Sequence, residues 1–331
     1  MYEQNIKRLP TDAAAHIICI AAGILLIIIS ALLTAPVRES STALINIPVP
    51  ETWYTSTWGV TLNTAIILLT TLIIAGITNR YAITSSYSIL PTLFYLMYQC
   101  CNPMTGRVLQ QGNIGALAII ISTSILFGNY QNKNSAGNIY GATLLLALTS
   151  LLWGRALFYI PLLWIGMMQM HIFNLQTFSA SLLAILTILW IYTFLLIAGI
   201  IPGLDTPTAE LLKNLVPGGY MTLDISEQYG LIYLLPAIII LAAMAINTLY
   251  RETHDKISVR SYNRHLNTTA VFTLLYIAAD PDGIFNYMPV FNSVAAIQAA
   301  RYFDTIKSLK KLRMLYATII IYLSMYIIWI L

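Results

Sequence analysis

The most regular feature of the chain is a series of long apolar blocks separated by short polar connections. Most of the blocks approach the ~20 apolar residues that a helix needs to cross a bilayer. Eleven can be placed, at 13–34, 59–78, 84–101, 113–129, 137–153, 156–172, 178–202, 229–249, 267–279, 288–303 and 314–331. Because some of them are short, notably 267–279 and 288–303, the pattern predicts an all-α, polytopic transmembrane helical bundle of 9–11 spans.

Composition favours the same class. Of the 331 residues, 58% are hydrophobic and 9% are charged, whereas a soluble domain carries about 25% charged residues. So few charges cannot cover the surface of a soluble domain of this size. We therefore predict one integral membrane domain over residues 1–331, and a first block that is retained as a span because it exceeds the ~7–15 apolar residues of a secretory signal.

The positions of lysine and arginine predict the orientation. With the N-terminus in the cytoplasm, 13 of the 17 basic residues fall on the cytoplasmic side, many of them in the loops at 250–266 and 304–313. Two longer loops, at 35–58 and 203–228, then lie outside. Because the basic clusters are explained as topology signals that also attract anionic lipid headgroups, membrane lipids are predicted partners and nucleic acid is not.

Three charged groups on the outer side are candidates for substrate handling. Arg155 lies in the tight connection "LLWGRALFYIP" at the membrane boundary, where a guanidinium suits a lipid or pyrophosphate group; a snorkelling anchor is the alternative. Arg38 and Glu39 follow the first block. Glu39 is a candidate general base and Arg38 a candidate phosphate contact, with two solvated loop charges as the alternative.

A second acidic candidate is the stretch "DPDG", in which Asp280 and Asp282 flank a proline ahead of a glycine. Such a sequence predicts a polar turn, in which the aspartates bond their own backbone. The alternative is a catalytic acid pair at the outer face. The stretch does not fit a calcium loop, because no further ligands follow at the required offsets.

No cofactor and no metal are predicted. The four histidines and three cysteines have no metal-ligand spacing, and no glycine-rich phosphate loop or known catalytic motif occurs. His254 and His265 fall in the loop at 250–266, where solvated side chains are expected. Polar positions within the spans are predicted either to line a cavity or to bond between helices: Asn63, Gln99, Ser122, Thr123, Ser124, Asn292, Ser293 and Gln298.

Two stretches resemble a known family. In 137–169, a span rich in small residues, a short turn and an aromatic-proline span resemble an uncharacterised family of polytopic inner-membrane proteins from two-membraned bacteria, a domain of unknown function. The matching positions are Gly141, Leu151, Arg155, Tyr159, Pro161, Trp164, Ile165 and Gly166. The C-terminal "AARYFDTIKSLKKLRMLYATIII" is also similar to the family's ending, and the resemblance implies a bacterial inner-membrane protein of the cell envelope.

The same span-turn-span is loosely similar to type-C glycosyltransferases and lipid-linked glycan polymerases, with Glu39 and Arg155 at comparable levels. Three functions therefore stay open. The first is handling of a lipid-linked glycan or lipid at the outer face. The second is a non-enzymatic subunit or scaffold of an envelope-assembly or export complex, bound to other membrane-protein subunits. The third is a transporter or flippase.

Overall fold

The computed structural model describes residues 13–33, 56–84, 88–107, 109–198, 225–251, 256–304 and 309–330. All the regular structure in these ranges is helical, so the predicted all-α class is confirmed. The predicted loops at 35–58 and 203–228 lie almost wholly outside the described residues, and Arg38 and Glu39 lie outside them altogether.

The helices follow the apolar blocks closely, because an apolar segment with no water around it must satisfy its backbone polar groups internally. Their bounds are α1 Ala13–Leu33, α2 Thr57–Arg80, α3 Leu90–Cys100, α4 Pro103–Arg107, α5 Gln111–Gly128, α6 Ala136–Leu152, α7 Tyr159–Gln169, α8 Leu175–Ile197, α9 Ile225–Arg251, α10 Ile257–Ala279, α11 Ile284–Asp304 and α12 Leu309–Ile330. Short 3₁₀ helices at Gly154–Phe158 and Pro281–Gly283 precede α7 and α11.

Helix α11 forms the centre of the bundle. Every residue from Ile284 to Ala300 is buried, although the helix contains Pro289 and several asparagines. It packs against α3, α5, α9 and α10. Because its whole circumference is covered by protein, it needs no continuous apolar face, which explains the weak hydropathy of this segment.

Apolar helices with exposed side chains lie around this centre. Trp190 of α8 is 71% exposed, and Leu186 and Phe194 on the same helix are also exposed. Five described helices, α1, α2, α5, α8 and α12, are long and apolar enough to cross a membrane. Large apolar surfaces of this kind are stable only against lipid or another protein, and together with the five long apolar helices they indicate a helical membrane protein; the number of spans stays a prediction.

The ends of the helices meet in two groups. At one end, Tyr81 after α2 packs its ring against Phe127 of α5 and Tyr262 of α10, and Arg301 of α11 donates to the carbonyl of Ile83. We call this the basic end, since Arg80, Lys133, Arg260, Arg264 and Arg301 lie on the segments that meet there. At the opposite end, the start of α5 meets the start of α11, where the Gly112 amide donates to Asn286 Oδ1.

The structure corrects the sequence interpretation in two places. The block at 84–101 contains only the short α3, since the helix begins at Leu90 and ends at Cys100. Helix α10 begins at Ile257, inside the predicted cytoplasmic loop at 250–266, because its polar residues are covered by neighbouring helices. His265 is therefore 3% exposed, and the prediction that it is solvated was wrong.

Candidate functional site

The candidate site lies at the end of the bundle opposite the basic end. It is formed by the two 3₁₀ helices and the starts of α5 and α11. Of the predicted residues, Arg155 and Asp280 meet here, although they are 125 positions apart in the chain. Asp282 has its backbone in the second 3₁₀ helix, but its side chain is not among the described ones.

Arg155 and Asp280 form an ion pair through Nη1 and Oδ2. The exposed fractions of the two side chains are 10% and 3%, so neither the snorkelling interpretation of Arg155 nor a solvated Asp280 fits the structure. A buried pair is screened by salt far less than a surface pair. It also costs desolvation free energy that the attraction between the charges only partly returns.

The chain reverses sharply at Asp280, which places its carboxylate next to the guanidinium. The Asp280 amide closes the last turn of α10 on the carbonyl of Tyr276, at 2.9 Å, and the Gly283 amide donates to the carbonyl of Asp280, at 3.3 Å. Pro281 cannot continue the α-helical ladder. The chain therefore turns at this stretch, as predicted, but Asp280 makes no side-chain cap to the 3₁₀ helix and pairs with Arg155 instead.

Gly283 is required by the close approach of Arg155. A Cβ atom at this position would lie 1.9 Å from Nη1 of Arg155 and 2.7 Å from Oδ2 of Asp280. Any side chain here would displace the guanidinium from the carboxylate. The "DPDG" stretch therefore supplies both the acid and the space that its partner occupies.

Aromatic side chains enclose the pair. The guanidinium carbon of Arg155 lies 5.7 Å from the ring centre of Tyr287, within the range of a cation–π contact. Trp153, which is fully buried, packs edge-on against Tyr287 with ring centres 5.5 Å apart. Its ring fits only because Gly115 has no side chain, since a Cβ there would lie 2.5 Å from the indole.

One donor of Arg155 is unused. Its Nε atom is buried and has no hydrogen-bond partner among the described residues. A guanidinium presents five N–H donors in a planar fork that matches the oxygens of a phosphate or carboxylate. Among the described residues, Nε therefore lacks the acceptor that a buried N–H group normally has.

A network of buried amides lies at the same end of the bundle. Asn113 of α5 donates to Asn63 of α2 and accepts from Gln99 of α3, at 2.7 Å. Asn292 of α11 donates to Gln99 Oε1, at 3.2 Å. Three of these amides also donate to the carbonyl of Thr105.

Through these side chains the network joins α2, α3, α5 and α11 around the break between α3 and α4. Asn63, Gln99 and Asn292 therefore bond between helices, which is one of the two roles predicted for them. Asn113 was not recognised as a member from the sequence; as the first residue of the apolar block at 113–129, it reads as an ordinary polar boundary. Buried polar groups that are fully paired specify helix packing, and this network is structural.

Cysteine and histidine provide no metal centre in the described part of the chain. Cys100 and Cys101 are buried free thiols, and Cys19 is a half-buried free thiol. The described residues contain no group of three or more His, Cys, Asp or Glu side chains with a geometry that suits a metal ion.

The chain matches no protein-family model, and it is not significantly similar to any of the curated proteins or solved structures with which it was compared.

Proposed function

We propose that the protein is a multi-pass protein of the bacterial inner membrane that binds a lipid-linked anionic substrate, such as a phosphate-linked glycan, at the outer face. The N-terminus lies in the cytoplasm, and 9–11 helices cross the membrane. Support for the orientation comes from the concentration of lysine and arginine toward the basic end, which is the cytoplasmic side under the positive-inside rule. The Arg155 site then faces the outer side.

The observation that carries this proposal is the buried ion pair between Arg155 and Asp280. Charged groups inside a membrane protein are expensive and usually serve substrate or ion handling. Apolar residues of similar volume often stabilise a fold as well as a buried ion pair does, or better. Stability alone therefore gives little reason for the pair in a chain with only 9% charged residues.

Arg155 is the proposed anion contact. Its unused Nε donor lies beside the pair, so an incoming phosphate would first bind there and then compete with Asp280 for Nη1. Asp280 acts as the resting counter-ion of the guanidinium. Once the phosphate has replaced it, its carboxylate is available as a general base for a hydroxyl acceptor. Glu39, Arg38 and Asp282 are assigned to the same outer side by the predicted topology, as further candidate groups.

Native mass spectrometry of the purified protein tests the proposal directly. Wild-type protein incubated with a polyprenyl phosphate should retain it, and Arg155→Gln should lower the retained fraction at least about tenfold, the loss expected for one charge-assisted contact of about 1.5–3 kcal/mol. Arg264→Gln is the matched control, since Arg264 is exposed on α10 at the basic end. Size-exclusion chromatography checks that each variant is folded.

Equal retention by wild type and Arg155→Gln would overturn the proposal. The same spectra address the scaffold alternative, because a scaffold would carry a stoichiometric protein subunit and no phospholipid-type ligand. Substrate turnover is then tested with Asp280→Asn. If Asp280 is the base, this variant keeps the bound lipid but loses transfer to an acceptor hydroxyl.

A further inference from the structure

A small internal cavity lies between α5, α6, α7 and α10, away from the Arg155 site. Its volume is about 20 Å³, which is enough for one water molecule. The walls are partly polar, with Ser122 and Thr123 from α5, Tyr159 from α7, and His265 and Thr269 from α10; Leu146 of α6 closes one side.

His265 is the one basic side chain in this wall, and one of its ring nitrogens lacks a hydrogen-bond partner among the described residues. The residue is 3% exposed, and its Nδ1 atom has no partner among the described residues. The ring is fixed in place, because it packs edge-on to Phe127 with centres 6.0 Å apart. Gly166 lies against the ring edge that carries Cε1 and Nδ1, since a Cβ there would lie 2.7 Å from the first atom and 2.8 Å from the second. A buried polar atom left unpaired costs about 1–3 kcal/mol, so a partner for Nδ1 is expected.

Three of the four hydroxyl groups in the wall already donate to other acceptors. Ser122 Oγ already donates to the carbonyl of Ala142, at 3.2 Å. Thr269 Oγ1 donates to the carbonyl of His265 itself, at 2.9 Å, and the Tyr159 hydroxyl donates to Thr273 Oγ1, at 3.3 Å. The protons of these three hydroxyls are therefore committed, whereas their oxygen lone pairs still accept. A ligand with two hydrogen-bond donors would match these acceptors.

We propose that the cavity is a built hydration site, occupied by a water molecule that donates to His265 Nδ1 and to the oxygen of Ser122. Water fits the volume, and its two donors match two acceptors in the wall. The bound water adds a hydrogen-bonded bridge between Ser122 of α5 and His265 of α10, beside the direct contact of His265 with Phe127. The proposal is independent of the one made for Arg155.

The test uses full-length protein labelled with ¹⁵N-histidine and reconstituted in lipid bilayers. Magnetisation is transferred from water protons to the imidazole nitrogens by solid-state NMR, and the His265 signal is assigned by its loss in His265→Gln. We expect transfer to His265 comparable with that to exposed His171. Transfer should fall severalfold in Leu146→Phe, which fills the cavity, while the His171 signal stays constant.

Absence of water transfer to His265 in the wild type would overturn the proposal, because a dry cavity gives no such signal. Unchanged transfer in a folded Leu146→Phe would also overturn it, since the water would then lie elsewhere. Should Leu146→Phe not fold, a high-resolution structure of the wild type decides. Density for a water within hydrogen-bond distance of Nδ1 supports the site, and an empty cavity refutes it.

Discussion

Breaking the Arg155–Asp280 pair from one side should destabilise the protein more than removing both charges. The side chains are 10% and 3% exposed, so the figures for surface pairs do not apply. At a charge separation of about 4 Å and an effective dielectric constant of about 20, the attraction is about 4 kcal/mol. Asp280→Asn leaves the guanidinium buried without its counter-ion, and we expect a loss of about 3–5 kcal/mol in the free energy of unfolding.

The double variant Arg155→Met, Asp280→Leu removes both charges and keeps the volume roughly constant. Its free energy of unfolding should fall by less than that of Asp280→Asn and should stay close to the wild-type value, because no unpaired charge stays buried. Reversible unfolding in mixed micelles, followed by near-ultraviolet circular dichroism, measures all the free energies under one condition. Arg264→Gln serves as the exposed control and should change the free energy by less than about 0.5 kcal/mol.

A loss of under about 1 kcal/mol in the free energy of unfolding for Asp280→Asn, the value typical of a solvated pair, would contradict a buried ion pair. A double variant as unstable as the single one would also contradict it, because the attraction between the charges would then not be the source of the loss.

Three further predictions concern packing and topology. Gly112→Ala should lower the free energy of unfolding by about 1–3 kcal/mol, because its Cβ would lie 1.9 Å from the carbonyl oxygen of Asn286. The control is Gly141→Ala, which has open space around it and should be neutral or slightly stabilising in the same unfolding assay. Asn113→Leu should lower the free energy of unfolding by about 1–3 kcal/mol, because the buried amides of Asn63 and Gln99 each lose one hydrogen bond, and Asn113→Asp should not rescue it, because the carboxylate cannot donate to Asn63. Alkaline phosphatase fused to the C-terminus should be active and green fluorescent protein at the same point dark; the reverse pattern refutes the combination of a cytoplasmic N-terminus with eleven spans.

The positions of the helices could be predicted from the sequence because apolar length is a local property. Most described helices begin and end within about five residues of their apolar blocks; α3 begins six residues after the start of its block, and the larger departure, at α10, has a physical reason. Its first two turns carry polar and basic residues, including Asn263 and His265, which are buried against other helices. Hydropathy reflects contact with lipid and not contact with protein. The predicted span therefore begins later in the chain than the helix does.

The candidate site was predictable only in part. The positive-inside count assigns Arg155 and Asp280 to the same side of the membrane, which is a necessary condition for a contact. That they touch depends on how α6 packs against α5, on how α10 packs against α11, and on the absence of a side chain at Gly283. Neither condition leaves a periodic signal in the sequence. The space that Gly115 leaves for Trp153 is equally invisible until the two segments are seen together.

The central position of α11 has a consequence for synthesis of the protein. This helix is buried from Ile284 to Ala300, yet it is among the last to leave the ribosome. Until it arrives, α3 and α5 have no partner for the faces that carry Gln99 and the Gly112 amide. The short α3, about 16 Å long at 1.5 Å per residue, cannot cross the hydrocarbon layer as a free span. The earlier helices therefore cannot complete their packing until α11 has been synthesised. A chain that stops before α11 should be a substrate for membrane proteases.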